Sequence, residues 1–415
     1  MLTSKHVVLV LALVSFTGIL SQFALSPLLP VVADDVGTTV PLLAQTITAS
    51  LIVSALLALV IGPFADSFGH RRVLLIGSML VVASAVGTAL AVDYWSVLIM
   101  RLPGGIGGGI MAAIPVVLAS TRFPARQRRW AIGWTVSGIS ATPIVGMPAV
   151  AFVGDQLGWQ ASFLTLGLLG AVCFILLYRA IEPDPVQNTE RFRLINTLNA
   201  YRPVLASQLA RRFQISNLFR AIGWGAALTY LSAYLVDVHD LSLTSIGYLF
   251  FITGVGYFLG ARLGDGRYQR FSLRTLFAIS TGLMGMMLAV LFIIDANLWV
   301  LVPPLVIGVT AGGVGFVALT ILISEESPSY PATAMMMRQS GFSLGLAGGA
   351  VVGGLALALG GYNLLGVVIL AFAITSSALL LLRQVPVPDS VLPEPQIAAD
   401  PVATSQVVPT VETER

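Results

Sequence analysis

Few residues in this 415-residue chain can carry chemistry, because only 10% are charged while 56% are hydrophobic. The densest group lies in GPFADSFGHRR, where Asp66 stands close to His70, Arg71 and Arg72 between two apolar runs. Gly62 and Gly69 frame it, and glycine permits close backbone approach or a positive φ. A carboxylate at such a place needs a cation or the positive N-terminal end of a helix as its partner. The chemistry on offer is ion pairing rather than bond making.

Arg101, in RLPGGIGGG, is the second candidate. An arginine at the centre of a membrane-spanning run costs about 2.5–3.5 kcal/mol on insertion scales, so it is expected to serve a function. It lies roughly two helical turns into its run, followed by glycines, and is expected to face the interior. Asp34 and Asp35 close the first apolar run, and one of them is a candidate to exchange a proton against Arg101. Gln22 and Gln45 add neutral hydrogen-bonding groups. Arg220 and Arg338 lie near the ends of their runs and read as interfacial anchors, with Arg338 a candidate to pair with Glu325 or Glu326.

Other chemistries are excluded. Cys173 is the single cysteine, which leaves no disulfide framework or cysteine metal site. The three histidines sit at the edges of apolar runs, and no HExxH or paired intramembrane carboxylate occurs. No GxxxxGK[ST] loop is present, so the chain is not expected to hydrolyse nucleotide. Neither an enzyme nor a cofactor or metal is expected.

The elements that position these residues follow from hydropathy. A mean hydropathy of +0.91 with so little charge excludes a water-soluble domain. Crossing the hydrocarbon core takes roughly 20 apolar residues in a helix. Twelve such runs occur, at about 7–33, 42–63, 73–92, 95–120, 130–154, 159–181, 218–236, 244–263, 274–294, 297–323, 332–359 and 363–382. They are continuous rather than alternating, which favours helices over a β-barrel. The first run is too long for a signal peptide and reads as the first helix.

Arginine fixes the expected orientation, since positive loops stay cytoplasmic. One set of loops holds Arg71, Arg72, Arg122, Arg126, Arg128, Arg129 and the arginines at 191–212, 267 and 270; the other holds Asp34, Asp35, Asp93, Asp155, Asp237, Asp240 and Asp295. Both chain ends are then expected in the cytoplasm. A pI near 9.2 reflects this topology and headgroup contact with the bilayer, not nucleic-acid binding.

The runs divide six and six about a long polar stretch. The expected division is 1–181, a central cytoplasmic loop at 182–216, 217–385, and a disordered tail at 386–415. GPFADSFGHRR is echoed about 198 residues on by GARLGDGRYQR, and GGIGGG by GVTAGGVG. An internal repeat among membrane helices points to a transporter with its site where the repeats meet.

These residues carry a family resemblance. Gly62, Asp66, Gly69, Arg71 and Arg72 resemble motif A of the major facilitator superfamily, with Ser67 and His70 at usually basic positions. Pro27, Pro30 and Ala33 are similar to a segment of its drug-antiporter members, and Arg101 with Gly105 resembles motif B, with Gly104 in place of the usual glutamine. Gly138, Pro143 and Gly146 resemble the antiporter motif C, with Thr142 and Met147 replacing two glycines. The resemblance implies an all-α protein of twelve transmembrane helices in two pseudo-symmetric bundles, latched by Asp66 in one state. It implies a monomeric secondary transporter in the bacterial inner membrane, exporting small amphipathic or neutral compounds by proton antiport. A sugar or metabolite importer or facilitator is the alternative.

Overall fold

The structure, a computed structural model, describes residues 4–123, 125–182, 199, 201–264, 272–325 and 331–381. Helices dominate them: α1 (Ser4–Phe23), a 3-10 turn (Ser26–Leu28), α2 (Leu29–Asp35), α3 (Val40–Ala58), α4 (Ile61–Phe68), α5 (His70–Ala89) and α6 (Tyr94–Thr121) come first. Then follow α7 (Ala125–Ala141), a π turn (Thr142–Gly146), α8 (Met147–Leu157), α9 (Trp159–Ala180) and α10 (Arg202–Ala206). The rest are α11 (Gln208–His239), α12 (Leu243–Leu263), α13 (Leu273–Ile293), α14 (Leu298–Glu325) and α15 (Pro331–Leu381). Residues up to Leu381 form one compact unit. The tail expected at 386–415 lies outside the described residues.

Eleven helical stretches among the described residues are long and apolar enough to cross a membrane. The last, Thr333–Leu381, has 49 residues. At about 1.5 Å per residue that is more than twice the roughly 30 Å core. It is interrupted at Gly360 and Gly361, whose φ values of −153° and +65° leave the helical region. The two expected runs at 332–359 and 363–382 lie on either side of this break.

The seventh expected run needs a correction. Hydropathy starts it at 218 with a loop before it, whereas α11 starts at Gln208, inside that expected loop. Ser207 caps it by accepting the Ala210 N–H at 3.3 Å. The polar start QLARRFQISN hides a helix because its buried side chains are polar. Gln214 donates to the Ala334 carbonyl at 3.1 Å, and Ser216 donates to that of Ser376 at 2.8 Å.

Caps at the membrane edges are ordinary soluble chemistry. At the start of α6 the Asp93 carboxylate accepts the Ser96 N–H at 2.8 Å, while Ser96 Oγ accepts the Asp93 N–H at 3.1 Å. These Ser96 contacts hold the Asp93 carboxyl below its ordinary range. A depressed carboxyl contributes stability above its unfolded pKa and loses it as the pH falls through the folded value. Asp93→Ala is therefore expected to melt below wild type at neutral pH. Melting curves at successively lower pH should show the gap closing below about pH 3.9; a constant gap would rule out the carboxylate as its cause.

Small residues set the packing, as is usual where no water drives helices together. The helix pairings of the first half recur in the second: α1 with α7 and α11 with α15, α3 with α6 and α12 with α14, α5 with α6 and α13 with α14. Bulky apolar side chains such as Leu56, Met79, Leu168 and Leu359 stand exposed around the outside, where lipid would cover them. Trp95 and Trp299 lie exposed at the acidic end of the bundle and Trp130 and Trp134 at the arginine-rich end, the levels at which aromatic belts form.

Helices α1–α9 meet α11–α15 along a seam in which α3 packs on α15 and α8 on α12. Thr48 donates to the Ala347 carbonyl at 3.4 Å, Ser340 to that of Ala55 at 2.9 Å, and Ser232 to that of Ser26 at 2.5 Å. At the acidic end Thr244 donates to the Asp155 carboxylate at 2.6 Å. Tyr201, in the segment leading to α10, donates to the Leu59 carbonyl at 2.8 Å and lies 3.8 Å from Met336 Sδ, so it bridges α3 and α15. Burial pushes its phenol above the ordinary range.

Candidate functional site

The GPFADSFGHRR segment spans α4, the turn after it and the start of α5. Gly69 joins them with φ +91°, a conformation that a side chain would strain. Gly62 lies against α15: a Cβ there would come 2.6 Å from Met336 Cε. Arg71 donates to the Tyr178 carbonyl at 2.7 Å and sits 4.8 Å from the centroid of that ring, which ties α5 to α9. Arg72 is exposed. Asp66 is helical, in α4, and its side chain lies outside the described residues.

Arg101 is 1% exposed, on the inner face of α6. Its guanidinium donates to the Ser21 carbonyl at 2.8 Å and to the Gln22 carbonyl at 2.9 Å, where α1 ends. The last carbonyls of a helix lack intrahelical donors and carry the negative end of its dipole. Pro27, just beyond, has no N–H to offer. Arg101 thus closes the break between α1 and the 3-10 turn, while Ser50 on α3 donates to its own carbonyl at 2.9 Å. Phe163 lies 5.9 Å away, ring centroid to guanidinium.

The other expected partners are elsewhere. Asp34 is exposed at the end of α2. Asp35 accepts from Trp159 Nε1 at 2.8 Å and Gln160 Nε2 at 3.2 Å. Gln22 is buried with its side chain against Gly108, and Gln45 turns back to the Pro41 carbonyl at 3.2 Å. The structure therefore joins Arg101 to the main chain of Gln22, places Asp35 and Gln45 in other contacts, and leaves Asp34 exposed.

The fifth-span glycines are contact points. A Cβ on Gly138 would fall inside the Ala12 carbonyl oxygen of α1, and one on Gly146 would meet Leu20 and Phe16 at 2.9 and 3.0 Å. Between them Pro143 opens the helix into the π turn, because proline supplies no N–H to the ladder. Thr142 donates to the Phe16 carbonyl at 3.3 Å. Across the seam Gly254 of α12 abuts the Pro143 carbonyl.

The most unusual cluster lies within α11–α15, where two arginines expected as interfacial anchors are buried instead. Arg220 is 1% exposed and Arg338 9% exposed. They lie 5.8 and 4.9 Å from the centroid of the same ring, Phe316. Arg220 donates to the Gly312 carbonyl and lies beside Tyr257. Trp224 stands 5.6 Å from Tyr257, and Phe342 stands 5.7 Å from Phe316, ring centre to ring centre. Helical spacing brings these together, with Asn217 and Arg220 on one face of α11, Gly312 and Phe316 on one face of α14, and Arg338 and Phe342 on one face of α15. Asn217 fixes α15 by donating to the Arg338 carbonyl at 2.9 Å. Among the described residues no carboxylate reaches either guanidinium. Glu326 and the side chain of Glu325, the expected partners of Arg338, lie outside the described residues. Treating each arginine singly, by its distance from a run's end, hid their shared ring; the available signal was two intramembrane arginines with no intramembrane acid.

A family model described as Major Facilitator Superfamily matches residues 11–340. The chain belongs to that superfamily. It is a multi-pass membrane transporter of small molecules, in a family of transporters. A probable sugar efflux transporter of Pasteurella multocida (strain Pm70) is 24% identical over 381 residues, covering 91% of this chain and 92% of its own. The inner membrane transport protein YdhP of Escherichia coli (strain K12) is 24% identical over 367 residues, covering 86% and 91%. Among solved structures, the fold is similar to that of a point mutant of the nucleoside transporter NupG, at TM-score 0.73 and 15% identity, covering 90% of this chain and 98% of that one.

Proposed function

We propose that this protein is a secondary active transporter of the inner membrane that exports small amphipathic compounds by proton antiport. In this reading the chain forms two bundles of six spans, the first ending near 181 and the second beginning with α11 at Gln208, with Gly360 and Gly361 turning between the last two spans, both chain ends in the cytoplasm, and the monomer as working unit. The observation that carries it is the seam. Its side-chain hydrogen bonds are single contacts, each contributing about 0.5–1.5 kcal/mol net, which two bundles can break and remake as they rock. Of the amphipathic and neutral substrates the sequence suggested, the arginine and aromatic cluster favours amphipathic ones. The relative named for sugar efflux supports the outward direction.

The test is efflux from cells loaded with a fluorescent amphipathic dye, with and without an uncoupler. Efflux should stop when the gradient collapses; efflux that continues unchanged rules out antiport. The second reading, an importer or facilitator, draws on the absence of a mid-span carboxylate among the described residues, and it predicts net uptake that ignores the uncoupler. Asp66→Asn separates the latch from the binding site. It is expected to slow transport at least several-fold while leaving ligand-induced stabilisation intact, and equal loss of both would remove Asp66 from the gate.

A further inference from the structure

We propose that Arg220 and Arg338 together form the binding site for a carboxylate on the transported compound, with Trp224, Tyr257, Phe316 and Phe342 receiving its ring or apolar body. This rests on the transporter reading and names its substrate class. The ground is an imbalance. Two guanidinium groups, each more than nine-tenths buried, share one aromatic ring with no carboxylate beside them among the described residues.

Arg101 shows how this fold satisfies an arginine it needs for structure: two carbonyls at a helix end, both otherwise without donors. The second cluster has no such provision. The Gly312 carbonyl that Arg220 uses lies within α14, where the helix ladder already claims it. Arg338 donates to no carbonyl among the described residues and lies over the Phe316 ring instead. Gly312 and Gly315 let α14 pack closely on the cluster: a Cβ on Gly312 would meet Trp224 at 3.1 Å, and one on Gly315 would meet Ser280 and Thr281 at 2.9 and 3.0 Å, with Arg220 Nε at 3.5 Å. Guanidinium groups match carboxylates through parallel N–H donors, and aromatic faces accept a flat apolar body beside them. An anion entering here also relieves the repulsion between the two like charges.

The experiment compares matched probes on the purified full-length protein at constant ionic strength: benzoate against benzamide, and glucuronate against glucose. At least one acid should raise the melting midpoint, increasingly with concentration, while its neutral counterpart does not. Arg338→Gln should weaken that acid's binding at least ten-fold, yet without ligand it should melt no lower than wild type, because it removes one of two repelling charges. A midpoint drop in the ligand-free variant like that of Arg101→Met would assign Arg338 to the fold and overturn the proposal. If Arg338→Gln does not fold, Arg338→Lys serves, keeping the charge but losing the planar fork, again with at least ten-fold weaker binding expected. Acids that do no better than their neutral counterparts, or an acid effect that survives both variants, also overturn it. A neutral compound exported at the wild-type rate by Arg338→Gln would end this inference and leave the transporter reading standing. An acid that is bound but never moved in proteoliposomes would do the reverse.

Discussion

Arg101→Met is expected to lower the stability of the folded protein by about 3–5 kcal/mol, the loss of two charge-assisted hydrogen bonds in a buried setting. Methionine fills much of the same volume, so the cost comes from the orphaned carbonyls of Ser21 and Gln22 rather than from a cavity. Arg101→Lys should recover only part of it, because a single ammonium cannot reach both oxygens with the geometry of a planar fork. Thermal unfolding in detergent, read by loss of helical signal, gives the order wild type, Lys, Met. If the two variants melt together at the wild-type midpoint, the cap contributes nothing. If both fold normally yet lose transport, Arg101 belongs to the coupling machinery that the sequence suggested, and the cap is secondary.

Gly138→Ala is expected to be the most damaging single-methyl change in the first half of the chain. The new Cβ would overlap the Ala12 carbonyl oxygen, and the obstacle is backbone, so no side chain can rotate away. Overpacking typically costs about 1–3 kcal/mol, and a rigid main-chain neighbour puts this site at the upper end or beyond. Gly133, in the same helix, is the internal control, since nothing lies within 4 Å of its Cβ position. Alanine there should stabilise slightly, because glycine costs about 1 kcal/mol in a helix interior. Opposite signs for the two changes would establish contact, not propensity, as the cause. Equal effects would mean that α1 and α7 are not in close contact.

Much of the fold was legible in the sequence because hydrocarbon leaves the backbone so few options. Continuous apolar runs marked the helices, and the glycine-rich segments marked where they touch. The start of α11 was not legible: Gln214, Ser216 and Asn217 look like loop residues, and only their partners on α15 show that polarity there serves packing. The same blindness affected the site. Arg101 is buried, but its partners are main-chain oxygens, which leave no trace in residue types. Arg220 and Arg338 are 118 positions apart, and only the ring of Phe316 reveals that they belong together.

The seam between the halves has its own genetic consequence. Thr48, Ser340, Ser232 and Tyr201 all donate to main-chain oxygens across it, at Ala347, Ala55, Ser26 and Leu59. Every amino acid brings the same oxygen to those acceptor positions. Drift at 347, 55, 26 or 59 can therefore pass without a compensating change opposite, provided the replacement fits. Paired substitutions across this boundary should be scarce, and inheritance should track the four hydroxyls alone.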